Sequence, residues 1–182
     1  TLMDLAINVS NQGRGDEAQA LFRRAEPIVQ RSPNDIDRAR FTTYQGIEAA
    51  NRGDYATALQ YARSASEAWR KMGAANNAFA QFNGGGGDPK KVERGELAVA
   101  LNLEARMALR NDDPVGASAA ATEALLILDQ TEDLPRWWKS DLLLTMGEIS
   151  VAQGRLSAAE TYLNGALAAR RQIFGEGLQT IA

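Results

Sequence analysis

Near its end the chain reads Met146-Gly147-Glu148-Ile149, then Gln153-Gly154-Arg155-Leu156, then Ala159, Tyr162-Leu163 and Ala166. A small residue lies in one helical segment, a glycine interrupts the chain, and two alanines seven residues apart lie in a second helical segment. Such a pattern predicts two antiparallel helices joined by a short turn.

The same pattern occurs three more times. It recurs as Gly46, Gly53-Asp54-Tyr55, Ala58 and Ala65; as Ala6, Gly13, Ala18, Phe22 and Ala25; and as Ala105, Asp112-Asp113, Ala117, Ala121 and Ala124. One hairpin cannot bury both of its faces, so neighbouring hairpins must stack on each other. The sequence therefore predicts one all-α domain over residues 1–182, with hairpins at about 1–31, 35–72, 92–129 and 135–174.

Small residues are expected where the two helices of a hairpin approach each other. Close approach of two helices requires Gly or Ala at the contact. We therefore expect Gly46 to face Ala58, and Gly147 to face Ala159. These residues serve packing, and none is predicted to be a functional site.

The connections carry recognisable caps and turns. Asp16 is predicted to cap the second helix, and Asp113 to cap the sixth with Pro114 at its first position. The third hairpin departs from the pattern, because Asp112-Asp113 stands where glycine is expected.

Residues 73–91 interrupt the helical pattern, and we interpret them as a flexible, glycine-rich insertion. The segment contains Gly84-Gly85-Gly86-Gly87 followed by Lys90-Lys91, which invites comparison with a phosphate-binding loop. The Gly-Lys-Ser/Thr ending and the preceding strand of such loops are both missing, so a plain loop is the better interpretation.

The composition excludes several classes of function. Lys+Arg total 20 and Asp+Glu total 23, for a net charge of −3, which offers no electrostatic footprint for nucleic acid or for an anionic membrane. No apolar run approaches the ~18 residues of a membrane span. The chain has no cysteine and no histidine, which excludes disulfides, thiolate or imidazole catalysis and Cys/His zinc sites. We expect no catalytic, cofactor-binding or metal-binding residue in this chain.

The repeated residues resemble the tetratricopeptide repeat (TPR) pattern. The match is carried by Gly46, Gly53-Asp54-Tyr55, Ala58 and Ala65, and by Gly147, Gly154, Leu156, Ala159 and Ala166. The alanines Ala18, Ala58, Ala117 and Ala159 lie 40, 59 and 42 residues apart, longer than the usual ~34. The run from Ala166 to Gly175 is similar to the end of the long-repeat type, found in kinesin light chains and in bacterial arrays joined to CHAT (caspase-like) protease domains.

The resemblance implies a right-handed superhelical solenoid whose first helices line a concave, peptide-binding face. Its candidate groove residues are the solvent-facing positions of those helices, where asparagine suits a peptide backbone and arginine a carboxylate. Each residue taken singly also fits an ordinary solvated surface. The candidates are Asn11, Arg40, Thr43, Ile47, Asn51, Asn102, Arg106, Arg110, Asp141, Leu144 and Glu148.

The function implied is that of a non-catalytic scaffold that binds a protein or peptide, not nucleic acid or a membrane. The lysine/asparagine clamp of chaperone-binding relatives is not reproduced, so chaperone binding is not predicted. Self-association through exposed repeat ends is a second contact that the architecture allows. One alternative is a sensor or regulatory segment of a larger enzyme such as a CHAT protease, favoured by a downstream His/Cys pair. Another is a peptide-signal receptor, favoured by a helix-turn-helix before Thr1.

Two further features bear on surfaces and location. Trp137 and Trp138 are adjacent on a helix, about 100° apart, so we expect one ring to pack and the other to be a candidate interface residue. The chain opens on Thr1 without a signal-peptide pattern, and we interpret it as a fragment of a longer protein. The compartment stays open, with the cytoplasm favoured.

Overall fold

The computed structural model describes residues 1–75, 89–131 and 134–175, and within these ranges the chain forms eight α-helices. They pack in sequence as four antiparallel hairpins, an all-α arrangement consistent with a TPR-like solenoid. The helices are α1 (Leu2–Asn11), α2 (Gly15–Gln30), α3 (Asp35–Asn51), α4 (Tyr55–Ala75), α5 (Pro89–Arg110), α6 (Pro114–Asp129), α7 (Arg136–Ala152) and α8 (Leu156–Phe174).

Each hairpin uses its second helix to hold the next hairpin. Besides its own partner, α2 packs on α3, α4 on α5, and α6 on α7. The first helices also contact one another in succession, from α1 to α3, α5 and α7. They therefore form a continuous row along one side of the stack, as predicted for the groove-lining helices.

The small residues occupy the same place in every hairpin. Ala6, Gly46, Ala105 and Gly147 in the first helices each precede the buried alanine of the second helix (Ala18, Ala58, Ala117 or Ala159) by twelve residues. A Cβ atom built at Gly46 would lie 3.5 Å from the carbonyl oxygen of Ala58, and one at Gly147 3.7 Å from that of Ala159. The predicted close helix contacts are confirmed.

One turn geometry is repeated four times. Gly13, Gly53 and Gly154 have φ between 71° and 81°, and Asp112 takes the same position with φ 58°. The amide of the following residue donates to the carbonyl five residues earlier, for example from Asp113 to Ala108 at 2.9 Å. These bonds satisfy the free carbonyls at the helix ends. Aspartate is one of the few non-glycine residues that tolerates the left-handed region, so the third hairpin keeps the turn without glycine.

One of the two predicted helix caps is confirmed. Asp113 Oδ1 accepts a hydrogen bond from the Gly116 amide at 2.8 Å, and Pro114 opens α6, as expected. Asp16 is not a cap: α2 already begins at Gly15 after Arg14, which places Asp16 inside the first turn. There its charge still favours the positive end of the helix dipole.

The helices beside the predicted insertion extend slightly into it. Helix α4 ends at Ala75 and α5 begins at Pro89, each three residues beyond the approximate hairpin bounds predicted from the sequence. The glycine run at 84–87, to which the loop and phosphate-loop interpretations apply, lies outside the described residues.

Aromatic and ionic contacts join the hairpins. Phe22 of α2 and Phe41 of α3 pack edge to face with ring centroids 5.8 Å apart, and Trp69 of α4 is enclosed. On the side of the second helices, Arg70 of α4 donates two hydrogen bonds to the Glu123 carboxylate of α6, at 2.7 and 2.8 Å. Among the described residues, no helix has the length and apolar character required to cross a bilayer.

Candidate functional site: the face of the first helices

Side chains from α1, α3, α5 and α7 form a polar surface along the row of first helices, and we call it the first-helix face. Residues three or four positions apart on these helices share a side, and three side-chain contacts join neighbouring helices across it. The first-helix face comprises Asp4, Asn11, Arg40, Tyr44, Ile47, Asn51, Glu96, Arg106, Arg110, Leu144 and Glu148.

A charged network crosses three helices at one end of this face. Arg40 of α3 forms an ion pair with Glu96 of α5, its Nη2 lying 2.8 Å from Oε1. The Tyr44 hydroxyl donates to Asp4 Oδ1 of α1 at 3.4 Å, and the Thr1 hydroxyl also donates to Asp4, at 2.5 Å. The side chains of Arg40 and Glu96 are only 28% and 16% exposed, so the pair is screened less than a surface pair.

This network shifts the pKa values of its members. Burial, together with the negative charges of Glu96 and Asp4, raises the pKa of Tyr44 above its ordinary value. Burial alone would lower the pKa of Arg40, but the charge and hydrogen bond of Glu96 outweigh it, so this pKa is raised. The hydrogen bond from Thr1 lowers the pKa of Asp4. The raised pKa of Tyr44 means that its phenol stays neutral at neutral pH.

The opposite end of α1 and α3 presents amides. Asn51 Nδ2 donates to Ser10 Oγ at 2.9 Å and to Asn11 Oδ1 at 3.0 Å. The side-chain oxygen of Asn51 has no hydrogen bond to any described residue, so it can accept one from a ligand.

An open cleft of about 430 Å³ lies between the ends of α5 and α7. Its apolar lining includes Leu109, Val151, Ala152 and Leu163, and Arg110 and Glu148 bring charges of opposite sign to it. The guanidinium carbon of Arg110 lies 6.0 Å from the centroid of the Tyr55 ring, which restricts the arginine through a cation–π contact. The cleft can hold an apolar side chain and orient charged groups beside it.

A smaller cavity of about 260 Å³ lies away from this face, at the end of the first hairpin, and its lining includes Leu2, Ile28 and Val29. It contains only one ionisable side chain, Asp37, and no cation besides the chain terminus at Thr1. The α5–α7 cleft is therefore better suited to recognise a charged polypeptide.

The structure brings some of the predicted groove residues together and separates others. Arg110 and Glu148 share the cleft, and Asn11 is hydrogen-bonded to Asn51. Arg106 is exposed and has no ion pair with any described residue. Ile47 and Leu144 are half-buried.

Three other predicted positions are less open to a ligand than expected. The expectation that Thr43 faces solvent is wrong: it is fully buried, donates to the Ala39 carbonyl at 3.0 Å, and accepts from Trp69 Nε1. Asp141 is held by Arg170 of α8 at 2.8 Å. Asn102 Oδ1 is buried and has no hydrogen-bond partner among the described residues.

The sequence interpretation missed Asp4, Tyr44 and Glu96. Tyr44 follows Arg40 by one helical turn, and that spacing was the available signal. The predicted residue, Thr43, is its neighbour and points about 100° away around the helix axis, into the interior and not onto the first-helix face. Glu96 could not be paired with Arg40 in advance, because the contact joins two hairpins separated by an interruption of unknown geometry.

The two adjacent tryptophans divide as predicted. Trp138 packs so closely against Gly95 that no Cβ would fit there, while Trp137 is 50% exposed. Their rings meet edge to face with centroids 5.5 Å apart. The interface role of Trp137 stays a prediction.

Comparisons with known proteins add little to this description. No protein-family model matches the chain, and no curated protein matches its sequence. The crystal structure of BtubC (BKLC) from P. vanneervenii is similar over 96% of this chain and 80% of that one, with 16% identity and a TM-score of 0.37. This score is too low to establish a shared fold, so the architecture rests on the helix packing itself.

Proposed function

We propose that the chain is a non-catalytic binding scaffold that holds a polypeptide segment on the first-helix face. The observation that carries the proposal is the α5–α7 cleft, which combines an apolar lining with Arg110 and Glu148. An apolar anchor residue surrounded by oriented polar groups is the usual composition of a peptide-binding surface.

The charges of the face indicate what the segment contains. Arg106 and Arg110 lie one turn apart on α5, and neither forms an ion pair with a described residue. They favour acidic side chains or a terminal carboxylate. Glu148 on α7 favours a basic group on the other side of the anchor residue. The proposed ligand is therefore a segment with an apolar residue between an acidic and a basic one.

The charged network at the other end of the face has a supporting role. Arg40 and Glu96 neutralise each other across α3 and α5, and this contact fixes the spacing of the two helices. A segment that extends from the cleft towards α3 would reach the half-buried Ile47 and the Asn51 oxygen. The proposed ligand therefore also offers a backbone amide to Asn51.

We extend the proposal to the type of repeat and to the role of this array in a larger protein. We assign the array to the long-repeat TPR type, as in kinesin light chains and bacterial CHAT-associated arrays, on the spacing of its small residues. A regulatory segment of a larger enzyme and a peptide-signal receptor would both use this same face, so the binding test below applies to each.

The test is a selection of random dodecapeptides displayed on phage against the intact chain, followed by fluorescence anisotropy of the selected peptides. Arg110→Glu and Arg106→Glu should each weaken capture at least about tenfold, the loss expected for a charged contact at an interface. Arg24→Glu, on the exposed side of α2, is the matched control and should bind normally.

Far-UV circular dichroism must show unchanged helicity in each variant. Equal affinity of the wild type and both groove variants for every selected peptide would refute the assignment of the first-helix face. Selected peptides without an apolar residue between opposite charges would refute the proposed ligand.

A further inference from the structure

One side of the last helix presents an apolar stripe, which borders the α5–α7 cleft at Leu163. Leu156, Leu163 and Leu167 of α8 are 69%, 37% and 47% exposed, and their spacing of seven and four residues places them on one side of the helix. Single exposed leucines are common, but three in a stripe indicate a contact surface.

Comparison of equivalent positions in the four hairpins shows which interface this stripe corresponds to. Counting from the buried alanine of each second helix, Leu163 stands where the other hairpins have Phe22, Ala62 and Ala121. Those three residues are only 6%, 0% and 1% exposed. Each belongs to a cluster with residues from the first helix of the next hairpin: Phe41 in α3, Leu103 and Met107 in α5, and Leu142 and Ile149 in α7. The α8 stripe is thus equivalent to these interfaces, and no helix among the described residues covers it.

The neighbouring position gives a second, independent match. Leu167 corresponds to Ser66, which is fully buried and whose hydroxyl donates to Glu104 Oε2 of α5 at 2.7 Å. It also corresponds to Leu125, which packs in the same cluster as Met146 of α7. In these two of the three interior interfaces, the first-helix residue is the one immediately before the small residue. The α2–α3 interface has the polar residues Glu26 and Gln45 at the same two positions, and both line one cavity.

Helix α1 carries the complementary face at the other end of the stack. By the same register, Leu5 corresponds to Glu104 and Met146, and it is 51% exposed. Gln12 corresponds to Asn111 and Gln153. These two amides reach back to the preceding second helix, and each donates at 3.0 Å, Asn111 to the carbonyl of Tyr55 and Gln153 to that of Pro114. The carbonyl equivalent to both on α8 is that of Leu156.

We propose that the α8 stripe binds α1 of a second copy of this chain, head to tail, in the register of the interior hairpins. Leu167 of one copy then meets Leu5 of the next, and Gln12 donates to the Leu156 carbonyl. The occupant follows from continuity: α1 has both a leucine and an amide donor at the positions that this interface uses. The contact joins two different surfaces, so it builds open chains of copies, not a closed two-fold dimer.

The test is sedimentation velocity of the intact chain over roughly 5–500 µM, the range of a modest interface. The wild type should show a mass that rises continuously with concentration. Leu5→Glu and Leu167→Glu should each weaken association about 30-fold, the loss expected for a central contact residue. Val115→Glu, at a 76% exposed position on α6 outside both surfaces, is the matched control and should associate as the wild type does.

Mixing the two variants separates a lost contact from a lost fold. Each variant keeps one intact surface, so an equimolar mixture should form heterodimers and stop there, because the remaining ends both carry glutamate. Heterodimers appear only if both variants are folded.

Several results would overturn the proposal. These are a wild type that stays monomeric throughout, single variants that assemble as the wild type does, a mixture that stays monomeric, or a wild type that stops at a closed dimer. A monomeric wild type that begins to associate when the chain is ended at Gly175 would assign the stripe to residues 176–182 instead of a second copy.

Discussion

Gly46→Ala and Gly147→Ala add the same methyl group at equivalent positions, and we expect opposite effects on stability. A Cβ at Gly46 would lie 2.9 Å from Leu103 Cδ2 and 3.2 Å from Tyr61 Cβ. Leu103 is only 5% exposed and Tyr61 Cβ is fixed to its backbone, so neither can withdraw easily. A Cβ at Gly147 would come closer still, 2.6 Å from Cδ2 and 2.7 Å from Cγ of Leu163, but Leu163 is 37% exposed, so rotation about its χ1 can move both atoms towards solvent.

The expected change in the free energy of unfolding is the difference between a gain in helix propensity and a cost of overpacking. Replacing glycine by alanine inside a helix stabilises by about 1 kcal/mol. Overpacking an enclosed site costs about 1–3 kcal/mol. We therefore expect Gly46→Ala to lower the free energy of unfolding by about 1 kcal/mol, and Gly147→Ala to raise it by about 0.5 kcal/mol. For a chain of this size 1 kcal/mol corresponds to about 2–4 °C in Tm.

The assay is thermal and urea unfolding followed by far-UV circular dichroism. The control is the Leu103→Ala background, where the closer of the two obstructing atoms is gone and Gly46→Ala should lose most of its destabilising effect, although the Tyr61 Cβ contact at 3.2 Å remains. If Gly147→Ala is at least as destabilising as Gly46→Ala, or if Leu103→Ala leaves the effect of Gly46→Ala unchanged, the reasoning from enclosure is wrong.

Three further changes test other parts of the structure. Ala58→Leu should lower the free energy of unfolding by about 1–3 kcal/mol, because Ala58 is 0% exposed at the helix contact; an unchanged Tm contradicts that assignment. Asp113→Ala should cost about 1 kcal/mol by removing the α6 cap, seen as faster amide exchange at Gly116; equal exchange contradicts it. Because the pKa of Tyr44 is raised in the folded protein, the neutral phenol contributes fully to the free energy of unfolding below the ordinary phenol pKa. This contribution is lost as the pH rises through the raised pKa. Tyr44→Phe should therefore flatten the fall of stability above about pH 10, and identical pH profiles would contradict this.

The sequence was sufficient for the hairpins because their signals are local. Gly53 and Gly154 are the left-handed residues that end α3 and α7, and the small residues that face Ala58 and Ala159 could be named in advance. Even the turn at Asp112, which breaks the glycine pattern, takes its predicted place. The all-α architecture is confirmed.

The candidate site was harder to predict because it depends on side-chain direction and on contacts between hairpins. Thr43 and Tyr44 are neighbours, yet one is enclosed and the other lies on the first-helix face. The Arg40–Glu96 contact spans 56 residues, a separation at which no local pattern can assign a partner. The start of α2 shows a related limit, since Asp16 has the right chemistry for a cap but stands two residues too late.

The fixed distances within each hairpin have a consequence for how such a chain changes in evolution. Five residues always separate the left-handed turn residue from the buried alanine, and twelve separate the two small residues, while the interval from hairpin to hairpin varies between 40 and 59 residues. An insertion or deletion between hairpins therefore preserves every internal pairing, whereas one inside a hairpin misaligns its two helices. Whole hairpins are the units that recombination can add or remove without loss of folding.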